Sequence, residues 1–130
     1  MKEIPVGTKG KKVIKVEESM TAAAMCSGAL EVFGTPSLCA WIEFTCFSSI
    51  EEYLEEGEGT VGTRIELSHL AATPVGMNIT IESEVIETEG RKIVFKATAY
   101  DDKEKIGEAR HERFMIYNEK FMAKAAAKLQ

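Results

Sequence analysis

Thr35-Pro36-Ser37-Leu38-Cys39-Ala40-Trp41-Ile42-Glu43-Phe44-Thr45-Cys46-Phe47 is the stretch on which the fold turns. Thr35 offers a side-chain oxygen as a helix N-cap. Pro36, at the first helical position, lacks only an N–H that would go unpaired there anyway, so a helix is expected over residues 36–54. Its first half is apolar nearly all round, which indicates burial. Glu43 is the single charge in residues 38–47. A carboxylate in that setting must be paired, protonated or put to use, because desolvating an unpaired charge costs several kcal/mol or more. Glu43 is therefore the first candidate for chemistry.

On the N-terminal side of this helix, residues 11–16 form a short β-prone run. Residues 17–30, rich in Ala, Met and Ser, fit either a flexible lid or a short helix. On its C-terminal side, the acidic, glycine-bearing stretch Glu55-Glu56-Gly57-Glu58-Gly59 reads as a solvated loop, after which the period changes to two. Val61, Ile65, Leu67 and His69 share one parity, and Arg64, Glu66 and Ser68 the other, as in a strand with one face on a core. His69 thus points where the apolar residues point.

Ala71-Ala72-Thr73-Pro74-Val75-Gly76 interrupts with turn chemistry, and alternation resumes over residues 77–86 through Met77, Ile79, Ile81 and Val85. Glu89-Gly90 makes a hairpin turn into a strand over 92–100. The polar loop Asp101-Asp102-Lys103-Glu104-Lys105 leads to a last strand over 106–117, and Asn118 is expected to cap a closing helix through residue 128. One buried helix before a meander of long antiparallel strands makes an α+β fold in which the sheet covers the helix.

The chain has 130 residues and 45% hydrophobic content, enough for one domain with one core, expected over 1–130. Its 16 Lys and Arg against 21 Asp and Glu give a formal charge of −5 without a long basic run, which argues against nucleic-acid binding. The start, Met1-Lys2-Glu3-Ile4-Pro5, lacks the apolar core of a signal peptide, and no segment is long and apolar enough to span a membrane. A soluble cytoplasmic protein is the expectation. Cys26, Cys39 and Cys46 are odd in number and lack a CxxC pair, which favours reduced thiols. Two His without clustered acidic ligands argue against a metal site, and no glycine-rich phosphate loop is present.

Thr35, Glu43 and His69 are the constellation that could carry chemistry: a hydroxyl, a carboxylate and an imidazole on apolar faces. Each alone has a plainer reading, as a cap, a paired core carboxylate and a satisfied core histidine. Two ionisable groups on two apolar faces shift the balance toward a site. His111 and Arg113 lie in the charge-crowded run Gly107-Glu108-Ala109-Arg110-His111-Glu112-Arg113, which reads as a solvated sheet face or, more sharply, as an anion contact.

Gly34-Thr35-Pro36, Glu43, Gly62-Thr63, the segment Ser68-His69-Leu70-Ala71-Ala72-Thr73-Pro74-Val75-Gly76, Gly107, His111-Glu112-Arg113 and Glu119-Lys120-Phe121 together resemble the hotdog-fold thioesterases related to fluoroacetyl-CoA thioesterase. The resemblance covers roughly the whole chain after its first thirty residues, and His-x-Ala-Ala-Thr-Pro-x-Gly is its most specific part. The Thr-to-Glu spacing of eight and the Glu-to-His spacing of 26 agree with it. It implies an antiparallel sheet wrapped around a long central helix, Thr35, Glu43 and His69 as the catalytic group, and Gly62 and Arg113 as substrate contacts. It also implies a homodimer with sites at the subunit interface. Residues 19–31 carry Met20 and Met25 but no aromatic, unlike the phenylalanine-bearing lid of the fluoroacetyl-specific enzyme, so selectivity for a fluorinated acyl group lies outside what the resemblance implies.

The expected activity is hydrolysis of a small acyl-CoA thioester to the free acid and CoA, with CoA as part of the substrate and no cofactor required. A thiolate leaves easily, so a carboxylate acting as nucleophile or general base and a histidine shuttling the proton suffice. The rival from another class is a non-catalytic acyl-CoA-binding protein. An enoyl-CoA hydratase shares the fold, but the Asp/His signature expected of one is absent.

Overall fold

The computed structural model describes residues 1–130. Its strands are β1 (Lys9–Lys15), β2 (Glu58–His69), β3 (Asn78–Glu89), β4 (Lys92–Tyr100) and β5 (Lys105–Tyr117), with helix α1 (Thr35–Ser48) between β1 and β2 and helix α2 (Asn118–Ala126) at the end. The strands form one antiparallel sheet in the order β1-β3-β4-β5-β2. The chain therefore carries its two edges in β1 and β2, the strands that flank α1 in sequence.

The sheet wraps α1. Leu38, Ile42 and Cys46, spaced at i, i+4 and i+8 on one helix face, are fully buried, and they join Ile79, Ile81 and Val85 of β3 and Ile93, Phe95, Ala97 and Ala99 of β4 in one core cluster. Close approach is needed where the sheet curls round the helix. A Cβ on Gly107 of β5 would lie 2.9 Å from Leu38 Cδ2 and 3.1 Å from the Ser68 carbonyl oxygen, so a larger residue there would have to push Leu38 aside.

Helix α1 ends at Ser48, six residues before the expected stop at 54, and a 3-10 turn over Glu51–Tyr53 takes its place. Ser49 turns its hydroxyl back on the Cys46 carbonyl at 2.6 Å, and the next residues in line are Glu51 and Glu52. Serine competes for backbone acceptors, and acidic side chains are unfavourable at the negative end of a helix, so the shorter helix is the better solution. At the other end, Gly34 and not Thr35 is the N-cap, with Thr35 and Pro36 in the first turn.

All five expected strands are present: β4 has the expected bounds, β2, β3 and β5 extend one to three residues beyond one of theirs, and β1 begins two residues earlier than expected and ends one earlier. Residues 17–30 are neither helix nor featureless: a 3-10 turn over Glu18–Met20 leads into a loop closed at its base by the Thr21–Phe33 pairing. Asn118 starts α2 from inside, with Tyr117 as the N-cap, and a 3-10 turn over Ala127–Leu129 follows α2.

One correction to the sheet matters for the site. β2 pairs with β5 through Gly62↔Arg113 and then Arg64↔Glu112, leaving Thr63 as a bulge. Opposed residues share a face, so beyond the bulge Ile65, Leu67 and His69 point inward as expected. Before it the parity reverses. Val61, paired with half-exposed Phe114, is on the outer face and does not belong with Ile65, while Thr60 and Gly62 point at the helix.

Candidate active site

The candidate site residues fall into two clusters along α1. The first is at its N-terminal end. Thr35 Oγ1, freed from capping because Gly34 takes that position, lies 2.8 Å from His69 Nδ1 at the end of β2. His69 Nε2 is buried without a partner in the chain, and the edge of the Phe33 ring packs against the imidazole at 6.5 Å between centroids. Burial holds the His69 pKa below the ordinary imidazole value, against a backbone bond at Ala71 that raises it. A cavity of about 330 Å³ opens beside this pair. Apart from the pair itself its walls include Ala22, Ser27, Val32, Phe33 and Leu70, and no Asp, Glu, Lys or Arg side chain lines it.

The second cluster is two helical turns on. Glu43 is not sealed in the core as the apolar run suggested: its side chain is 38% exposed, and it is paired. Arg113 Nη1 lies 3.3 Å from Glu43 Oε2, and the guanidinium also donates through Nε to Thr60 Oγ1 at 2.9 Å and through Nη2 to the Thr60 carbonyl at 3.0 Å. Phe47 covers the guanidinium face at 5.2 Å. His111 Nε2 is 3.1 Å from Arg113 Nη1 and 3.8 Å from Glu43 Oε2. Glu43 Oε2 occupies the space that a side chain at 62 would take, since a Cβ there would lie 2.6 Å from it.

This overturns the solvated-face reading of the last strand. His111 and Arg113 are 1% and 6% exposed, and they share the inward parity of β5 with Gly107 and Ala109, while Glu108, Arg110 and Glu112 face out. The small residues at 107 and 109 were the signal that this parity faces the helix, and the charges on the other parity masked it. Thr60, which anchors Arg113, had no signal of its own in the sequence.

Gly62 and Arg113 are thus gathered around Glu43, whereas Thr35 and His69 form a separate pair. Thr35 and Glu43 are eight residues apart on one helix, about 12 Å at 1.5 Å per residue. Within one chain a single carbonyl group cannot touch both clusters. No group of three or more His, Cys, Asp and Glu side chains is disposed to hold a metal. The arrangement offers a paired, solvent-reachable carboxylate, an imidazole with one free nitrogen, and an uncharged cavity beside that imidazole.

Comparison with known proteins identifies the fold and the family. The family model described as "FlK: Fluoroacetyl-CoA-specific thioesterase" matches residues 16–119. The fluoroacetyl-CoA thioesterase of Streptantibioticus cattleyicolor is 41% identical over 98 residues, which are 75% of this chain and 70% of that protein. Among solved structures, the fluoroacetyl-CoA thioesterase FlK superposes with a TM-score of 0.93 at 33% identity, covering 97% of this chain and 98% of that one. A variant of FlK in complex with acetyl-CoA gives 0.92 at 32%, covering 98% and 100%. A Thermus thermophilus member of the thioesterase superfamily gives 0.90 at 27%, covering 98% and 94%. The sheet-wrapped helix is therefore a hotdog fold, and with a match over most of its length the chain belongs to the fluoroacetyl-CoA-specific thioesterase family.

Proposed function

We infer that this protein, acting as one hotdog domain over residues 1–130, hydrolyses small acyl-CoA thioesters to the free acid and CoA. The observation that carries the reading is the pairing of an Arg-held Glu43 with a Thr35–His69 couple beside an uncharged cavity, in a chain whose relative FlK has been solved with acetyl-CoA. Glu43 acts on the thioester carbonyl, as nucleophile through an anhydride or as the base that activates water. The C–S bond breaks, and neutral His69 takes up the proton that water loses, directly or by way of Glu43, and passes it to the departing thiolate. Thr35 orients the imidazole. Gly62 leaves the space in which Glu43 Oε2 stands to meet the thioester, and Arg113 acts on the substrate side by holding the carboxylate in place. A covalent acyl group on Glu43 after rapid quenching would assign the nucleophilic route.

The separation of the two clusters along α1 supports a homodimer in which one site draws on two copies. β2, twelve residues long, is a free sheet edge next to both clusters, and an edge of that length favours pairing with a second chain. Sedimentation should show a dimer, and mixing inactive Glu43→Gln and His69→Ala chains should restore activity in the mixed dimers. A fully active monomer would exclude a shared site.

No helix is long and apolar enough to cross a membrane, and all three cysteines are free thiols, which supports a cytoplasmic place of action. Release of free thiol from acetyl-CoA separates the hydrolase from a non-catalytic acyl-CoA-binding protein: binding without thiol release would leave only the second. A panel of acyl-CoA esters then gives the preferred acyl group.

A further inference from the structure

His111 has no part in the steps above, yet it is among the most deeply buried polar side chains in the protein and touches the group that holds Glu43. Its Nδ1 is 2.8 Å from the carbonyl oxygen of Arg64 on β2. A carbonyl only accepts, so Nδ1 carries the proton. On its other side, Arg113 Nη1 is 3.1 Å from Nε2, and a guanidinium only donates, so Nε2 presents a lone pair. A single state of the ring, the neutral Nδ1–H tautomer, makes both bonds. The Phe95 ring of β4 stacks on the imidazole at 6.2 Å and 27°, which fixes the ring plane.

Arg113 Nη1 has two N–H groups, and in this geometry one goes to His111 Nε2 and the other to Glu43 Oε2. Thr60 holds the remaining side of the guanidinium. Removing the imidazole acceptor would leave one Nη1 N–H unpaired in a buried setting, and the guanidinium would shift toward another acceptor and carry Glu43 with it. We propose that His111 is a positioning residue for thioester hydrolysis: as a neutral hydrogen-bond acceptor it fixes the orientation of the Arg113 guanidinium, and through it the place where Glu43 Oε2 meets the substrate. The proposal rests on the thioesterase reading above.

The charged and polar groups facing the ring are Arg113 of β5, Glu43 of α1 and the Arg64 carbonyl of β2, while β4 contributes only Phe95; Glu112, on the outer face of β5, acts on the ring only through its charge. Burial holds the His111 pKa below the ordinary imidazole range, the Arg64 bond opposes this, and Arg113 adds to it. The balance keeps the acceptor state in place at neutral pH.

Three variants separate this role from simple packing. His111→Phe keeps the ring and its stack on Phe95 and loses both nitrogens. His111→Asn can still serve the Arg64 carbonyl but falls short of Arg113, and His111→Gln places an amide oxygen within reach of Arg113. With acetyl-CoA as probe, the Phe and Asn variants should lose kcat about 10- to 100-fold with KM nearly unchanged, because a carboxylate displaced by about 1 Å costs turnover and not affinity. The Gln variant should recover most of that loss. In an Arg113→Lys background, His111→Phe should cost nothing further, since it acts through the guanidinium.

Imidazole ¹⁵N NMR of the parent protein should show Nδ1 protonated and Nε2 bare at pH 7, a reading that needs no activity and no folded variant. Parent-level kcat in a folded Asn or Phe variant, equal losses in Asn and Gln, or a protonated Nε2 would overturn the proposal. If the parent releases no thiol from any acyl-CoA, the thioesterase reading fails instead, and the NMR still reports on the His111–Arg113 bond.

Discussion

Glu43 is tolerated in an apolar helix because Arg113 reaches it from β5 and because its own side chain opens to solvent on one side. Glu43→Gln keeps the shape and removes the nucleophile or base, so kcat should fall by about 10²–10⁴ while the protein still folds, with some loss of melting temperature because buried Arg113 loses its counter-charge. Hydrolysis at the parent rate would remove Glu43 from the mechanism. His69 works as a neutral base above its pKa, which burial holds below the ordinary imidazole value, so the rate should climb with pH along a limb below about 6.5 and be level at 7. His69→Ala should lower the rate and flatten that limb; an unchanged pH profile would return His69 to the ordinary core histidines. Strand parity made His69 readable in the sequence. Thr35 reads both as a cap and as a site hydroxyl because a threonine at a helix start has two uses for its oxygen, and only the arrival of His69, thirty-four positions away, decides between them.

The decisive feature of β2 is its bulge. Because side chains alternate with a period of two, the unpaired Thr63 sends Gly62 to the inner face and Val61 to the outer. Gly62→Ala tests this. The new Cβ would lie 2.6 Å from Glu43 Oε2 and 3.3 Å from Arg113 Nη1, and the flexible carboxylate is the group able to yield. Folding should survive with little change in melting temperature, while kcat drops by up to about 100-fold. If the bulge instead pointed position 62 outward, Ala would be silent in both measurements. The strand itself was legible from its alternation. The bulge was not, since it is set by register against β5, which lies some fifty residues further on.

For the whole molecule, the two histidines make stability depend on acid. Both have pKa values lowered in the folded chain, chiefly by burial, so between the ordinary imidazole value and the folded one the unfolded chain binds more protons. Their contribution is present in full above about 6.5 and is lost as pH falls through the folded values. Urea melts should therefore give lower midpoints at pH 5 than at pH 7, and His111→Gln should remove part of that difference. Equal midpoints for the parent at the two pH values would contradict the burial of these rings.

The sequence by itself determined the α+β class, the helix that begins at Thr35-Pro36, the alternation of the strands and the inward direction of His69, because helical and strand periodicity and turn chemistry are local properties. Its motif residues also carried the family resemblance. The all-round burial expected of the helix is limited to one face, with Ala40 and Phe44 exposed. Tertiary structure alone decided that Thr35 serves His69 and not the helix start, and that His111 and Arg113 turn inward to hold Glu43. It also decided that Gly62 makes room for the carboxylate and that the two polar clusters stand about 12 Å apart. Each of these depends on which strand pairs with which, and in what register. That pairing is fixed by packing between segments far apart in the chain, so no local pattern of residues records it.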